Sequence, residues 1–208
     1  MQSIRYRLFE FFVIFIVIPV SFALTFPVWI KLAIGVIGFA YVVYVLLKVE
    51  HNKFKLREHI NWTQFWRRTA LKFIAIAAIT IAYMYYADYE NLFIVIKTKP
   101  QLWVIILIIY SFFSVYPQEL IYRTFFFQRY ESLFRSHALF VIVNAAIFSL
   151  AHIFFKNTLV MILTFAGGIL FALTFKKTKS TLLVSIEHAV YGCWLFTVGM
   201  GEMLGFPS

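Results

Sequence analysis

Long apolar runs alternate with short, mostly basic stretches along the whole chain. A helix rises about 1.5 Å per residue, so about 20 apolar residues cross a hydrocarbon layer. Six runs approach that length and predict membrane-spanning helices at residues 8–24, 32–47, 69–87, 138–152, 159–175 and 181–199. A further run begins at Leu102, between the third and fourth of these. It ends at Pro117 if the proline breaks the helix, or continues to about Phe134 if the proline only kinks it. The continuous form, 102–134, exceeds one span and needs tilt, a kink or an interfacial last segment. Residues 48–68 are polar and basic, with Trp62 and Trp66 at their far end, and predict an interfacial loop or helix with aromatic anchors. The expected fold is therefore all-α, a polytopic transmembrane bundle of about seven helices forming a single membrane domain over 1–208.

Composition supports this class. The chain is 62% hydrophobic and contains 26 Phe, and only 13% of it is charged, against about 25% in soluble proteins. The mean hydropathy is +0.85. The start, Arg5 and Arg7 followed by residues 8–24, imitates a signal peptide. Its far end, Phe22-Ala23-Leu24-Thr25-Phe26, is too bulky for a small-x-small cleavage site, so an uncleaved first helix is expected.

The net charge of +10 changes the picture less than it would in a soluble protein. The basic residues form four sets: Arg5 and Arg7; Lys53, Lys55, Arg57, Arg67 and Arg68; Arg129 and Arg135; Lys176, Lys177 and Lys179. All four fall on one side if seven helices alternate, which predicts a cytoplasmic N-terminus and contact with membrane lipids. No basic-aromatic platform points to nucleic acid. Cys193, the single cysteine, lies inside an apolar run and is expected to pack rather than react.

The chemistry concentrates in Pro117-Gln118-Glu119-Leu120-Ile121-Tyr122-Arg123, between two apolar runs. Glu119 and Arg123, at helical i,i+4 spacing, share one face and can pair. Charge at membrane depth is costly and marks function by default. Counting from a turn near Ser136, Glu119 lies 17 residues before it and His152 lies 16 after it. Antiparallel helices leaving that turn would bring both to about 25 Å depth. His188 would lie about 10 Å shallower by the same rise. Glu187 points to a different sector from His188. A carboxylate beside imidazole can deprotonate water, and a second imidazole can stabilise an oxyanion.

Simpler readings attach to each group. Glu119 and Arg123 can be a buried ion pair, His152 an interfacial residue and His188 a packing histidine. Asn144 is expected to make one interhelical hydrogen bond, Asn157 to cap a helix, and Gly167-Gly168 to allow close helix approach. Glu10 and Lys72, near helix ends, are expected to snorkel.

These motifs resemble the CAAX protease and bacteriocin-processing family of intramembrane endopeptidases, also called the Abi family. Its successive helices carry Glu-Glu-x-x-x-Arg, Phe-x-x-x-His and His-x-x-x-Asn or similar. Here they read Gln118-Glu119-x-x-x-Arg123, Phe148-x-x-x-His152 and His188-x-x-x-Gly192. The resemblance implies a family-like core over 102–199, with 1–101 as variable N-terminal helices. It implies an integral protein of the bacterial cytoplasmic membrane that cleaves a peptide or lipidated-protein substrate. Glu119, His152, His188 and Arg123 would form the catalytic set, with Gln118, Tyr122 and Tyr191 toward the substrate. No cofactor is implied, although a carboxylate with two histidines can also hold zinc. Two positions depart from the pattern: Gln118 stands where the family has its first Glu, and Gly192 stands where it has Asn or Asp. They keep open a non-catalytic alternative, a scaffold or immunity factor that binds a hydrophobic peptide.

Overall fold

A computed structural model describes residues 1–53 and 60–205. Lys55 and Arg57 of the expected basic stretch lie outside the described residues. The helices are α1 (residues 4–22), α2 (Val28–Lys48), α3 (Trp62–Ala87), α4 (Ile94–Thr98), α5 (Pro100–Leu133), α6 (His137–Phe155), α7 (Thr158–Thr178) and α8 (Thr181–Val198). Among the described residues, six of them are long and apolar enough to cross a membrane: α2, α3 and α5 to α8. Helix α1 carries Arg5, Arg7 and Glu10 and is not one of the six, although a first span was expected there.

Helix α5 runs straight through Pro117. A helical proline lacks the N–H for its i→i−4 bond, and its ring collides with that carbonyl. The carbonyl in question belongs to Phe113, inside a wider π-helical segment, Tyr110–Val115. The widening moves the carbonyl away, so the chain absorbs the proline without ending the helix. Helix α1 repeats the device: Pro19 faces the carbonyl of Phe15, within the π segment Val13–Val17. A third π segment, Leu120–Phe125, contains Arg123.

The chain forms two compact units. One comprises Met1–Leu56 and Gln118–Lys179, and holds α1, α2, the second half of α5, α6 and α7. Its core is aromatic. Phe15 of α1 sits edge-on to Tyr122, Phe126 and Tyr130 of α5, and Phe126 stacks on Phe140 of α6 at 4.9 Å. Helices α6 and α7 approach closely at Gly168, where an added Cβ would lie 2.9 Å from the Cα of Ala145. Only glycine permits that backbone approach, so the expected packing role of this glycine is met.

A buried ionic cluster closes the same unit. Arg129 has no exposed side-chain surface, and its guanidinium lies 2.7 Å from Glu10, 2.7 Å from Glu50 and 2.6 Å from the Met1 carbonyl. Tyr130 donates to Glu10 at 2.8 Å, and Tyr41 donates to the other Glu10 oxygen. Glu10 therefore does not snorkel, and Arg129 is not a loop cation: each buried charge is compensated by the other.

The other unit comprises Arg57–Pro117 and Ser180–Ser208, and holds α3, α4, the first half of α5 and α8. Helix α3 starts at Trp62, seven residues before the expected span, because the Asn61 side chain accepts from the Gln64 N–H and caps it. Trp62 and Trp66 remain about half exposed, as interfacial anchors are. Polar pairs join the helices: Trp194 Nε1 donates to Thr80 at 2.8 Å, and Trp103 Nε1 donates to Thr197 at 3.0 Å. Lys72 meets Glu187 at 2.7 Å, so it too is paired rather than snorkelling.

Candidate functional site

The motif helix delivers Glu119 and Arg123 to the interior of the first unit, both with no exposed side-chain surface. Arg123 Nε lies 3.3 Å from Oε2 of Glu119. Nη1 donates to Oδ1 of Asn144 at 2.9 Å, and Asn144 Nδ2 donates in turn to the Tyr122 carbonyl at 2.7 Å. The flat guanidinium lies over the Phe148 ring at 4.7 Å and near the Phe171 ring at 5.8 Å. A planar, delocalised cation can use its edge for acceptors and its face for a ring together, which lysine cannot. Asn144 makes two helix-to-helix bonds where one was expected. Its position opposite Arg123 ties α6 to α5.

Gln118, one residue earlier and about 100° around the helix, is half-buried. Tyr122 is buried, with its ring edge-on to Phe15 at 5.6 Å and to Phe148 at 5.3 Å.

His152 follows the last α-helical turn of α6, with φ −99° and ψ 6°. Its Nδ1 lies 2.8 Å from the Phe148 carbonyl. A carbonyl only accepts, so Nδ1 carries the proton and Nε2 is the basic nitrogen of the neutral ring. The imidazole meets the Phe148 ring at 4.9 Å and stacks near Phe155 at 6.1 Å. Phe148 is thus shared: the guanidinium that holds Glu119 covers it, and His152 borders it. The first two motifs converge on this one ring.

His188 and Tyr191 belong to the second unit. His188 is buried on α8, with Nε2 3.1 Å from the Tyr110 hydroxyl of α5. The Tyr191 hydroxyl lies 3.0 Å from Oε1 of Glu187 and 3.2 Å from the Thr69 carbonyl, two acceptors sharing one proton. Glu187 therefore has the separate polar sector expected of it, completed by Lys72.

A metal ion at this site would have to draw on the same donors. The Glu119 carboxylate already faces a guanidinium, which would compete with a metal ion. Among the described residues no group of three or more His, Cys, Asp and Glu is placed to hold a metal.

Tyr110, Phe148 as a shared platform, and Asn144 as the Arg123 acceptor were not foreseen as site residues. Asn144 was visible as an amide in an apolar run. Tyr110 carried no signal, since tyrosine is frequent in this chain, with 12 copies.

Residues 100–194, slightly under half of the chain, match the family model described as type II CAAX prenyl endopeptidase Rce1-like. The matched range spans all three motif positions. Neither a curated protein nor a solved structure matches the chain.

Proposed function

We propose that the chain is a member of the Rce1-like family of type II CAAX prenyl endopeptidases, whose model matches residues 100–194, and that it hydrolyses a peptide bond in a lipidated or hydrophobic peptide at the membrane. One observation carries the reading: the His152 tautomer, fixed by the Phe148 carbonyl at 2.8 Å, leaves Nε2 as a base. In the proposed reaction the imidazole takes a proton from water, with the Glu119 carboxylate stabilising the imidazolium that forms. The hydroxide adds to the scissile carbonyl carbon. His188 donates to the resulting oxyanion, and the proton on His152 then passes to the departing amine. Arg123 positions Glu119, while Gln118, Tyr122 and Tyr191 are assigned to the substrate. His152 carries more of the proton transfer than Glu119, because Arg123 compensates that carboxylate.

The proposed setting is a bacterial cytoplasmic membrane with a cytoplasmic N-terminus. Lys53 with Arg67 and Arg68, and Lys176 with Lys177 and Lys179, fall on one side of the alternating spans, and the N-terminus shares that side when α1 crosses as well.

A second reading rests on Gln118. An amide cannot take a proton, and the only carboxylate of the motif is bound to Arg123. On that reading the chain binds a hydrophobic peptide without cutting it, as an immunity or assembly factor. Purified protein in liposomes, given a farnesylated peptide with a C-terminal tripeptide to lose, separates the two. Release of the tripeptide, abolished by His152→Ala, supports hydrolysis. Saturable binding with no release at any enzyme concentration supports the scaffold.

A further inference from the structure

The geometry points to Tyr110 as the residue that positions His188, in space that Gly192 leaves open. His188 and Gly192 lie one turn apart on one face of α8. The Tyr110 hydroxyl lies 3.1 Å from His188 Nε2, and its ring packs edge-on against the buried Phe196 at 4.8 Å, two turns further along the same face. A Cβ built on Gly192 would overlap the hydroxyl and the adjoining ring carbons of Tyr110. Gly192 has ordinary helical backbone in mid-helix, where glycine is a poor choice, so its backbone conformation does not demand glycine. The phenol does. Any side chain at 192 would evict it.

The resemblance places a polar side chain four residues after this histidine. Here the polar group beside the imidazole comes from α5 instead. Tyr110 begins the π segment Tyr110–Val115, so the local widening that accommodates Pro117 also sets where the phenol points. Taken as the donor to Nε2, the phenol O–H keeps the proton of the neutral imidazole on Nδ1, the nitrogen assigned to the oxyanion. Tyr110 acts through His188 and touches no substrate in this account. Its catalytic consequence rests on the proposed hydrolysis; its effect on the imidazole does not.

The test uses the full chain in detergent or lipid, labelled with ¹⁵N-histidine, as wild type, Tyr110→Phe, Tyr110→Ala, Gly192→Asn and the double variant Tyr110→Ala with Gly192→Asn. Tyr110→Phe keeps the ring and is expected to fold. It should change the His188 ring-nitrogen shifts, assigned with His188→Gln, toward a mixture of tautomers. It should also lower kcat about 10- to 100-fold with KM little changed. Gly192→Asn alone should perturb His188 in the same way, and in the Tyr110→Ala background it should restore part of what Tyr110→Ala loses. His188 shifts that are identical in wild type and Tyr110→Phe would overturn the inference, whether or not the protein cleaves peptide. Shifts that move as expected in a protein that never cleaves would uphold the positioning and sink the hydrolysis.

Discussion

Arg123 lies against Glu119 with neither side chain exposed, Nε 3.3 Å from Oε2, and the same guanidinium reaches Asn144 at 2.9 Å. An ion pair taken wholly out of water is close to break-even in energy, but removing one partner strands the other charge. Arg123→Leu should therefore cost about 3–5 kcal/mol, read as lost thermal stability in detergent. Arg123→Lys should recover little of it. A lysine cannot face Glu119, reach Asn144 and cover Phe148 together. Glu119→Gln should cost less than Arg123→Leu, since an amide oxygen still faces the guanidinium.

The Arg129 cluster makes a sharper case because it lies apart from the proposed chemistry. Arg129→Met leaves both Glu10 and Glu50 without their cation. It should destabilise the protein by about 3–5 kcal/mol. Pairing it with Glu10→Leu should recover part of that loss, because the more deeply buried of the two stranded carboxylates is removed. A double-mutant cycle on unfolding temperature checks this. Simple additivity would contradict the cluster.

Much of the fold was legible in the sequence, for a physical reason. Spans are set by hydrocarbon thickness, and apolar run length reports that directly. Run length alone left α5 open at Pro117, and the continuous form is the one that sets Glu119 level with His152. The structure adds the means: a π segment whose widened turn holds the carbonyl that the proline ring would strike. The errors share a cause. Glu10 and Arg129 are 119 positions apart, and Lys72 and Glu187 are 115 apart. Periodicity along one helix does not report which distant charge will compensate a buried one. Glu10 and Lys72 therefore looked like snorkelling ends, and Arg129 like a loop cation. Tyr110 was hidden likewise. The clue was an absent side chain at Gly192, which has meaning only once its neighbour in space is known.

Helix approach gives a further prediction. At Gly168 a Cβ would press on the Ala145 backbone at 2.9 Å, whereas at Gly167 it would meet only a ring carbon of the Phe171 side chain at 3.2 Å. Gly168→Val should force α6 and α7 apart and lower the unfolding temperature by several degrees. Gly167→Ala should be tolerated, since a ring can yield and alanine favours helix. Equal effects at the two positions would contradict the contact.

The Lys72–Glu187 pair is buried on one side only: Lys72 keeps 31% of its side-chain surface exposed and Glu187 keeps none. Lys72→Met should be worse than Glu187→Gln. The first strands a buried carboxylate, while the second frees a lysine that can turn toward water. Unfolding temperatures of the two variants, with the double variant lying nearer Glu187→Gln, check the asymmetry.

The most direct test of the central claim is the release of a C-terminal tripeptide from a farnesylated peptide by the purified protein in liposomes, followed by mass spectrometry. The account predicts release by wild type and its loss in His152→Ala and His188→Ala, each still folded by thermal unfolding. Gln118→Glu should raise the rate by adding a carboxylate free of Arg123. Release that persists undiminished in His152→Ala, or binding without release in both wild type and Gln118→Glu, would contradict it.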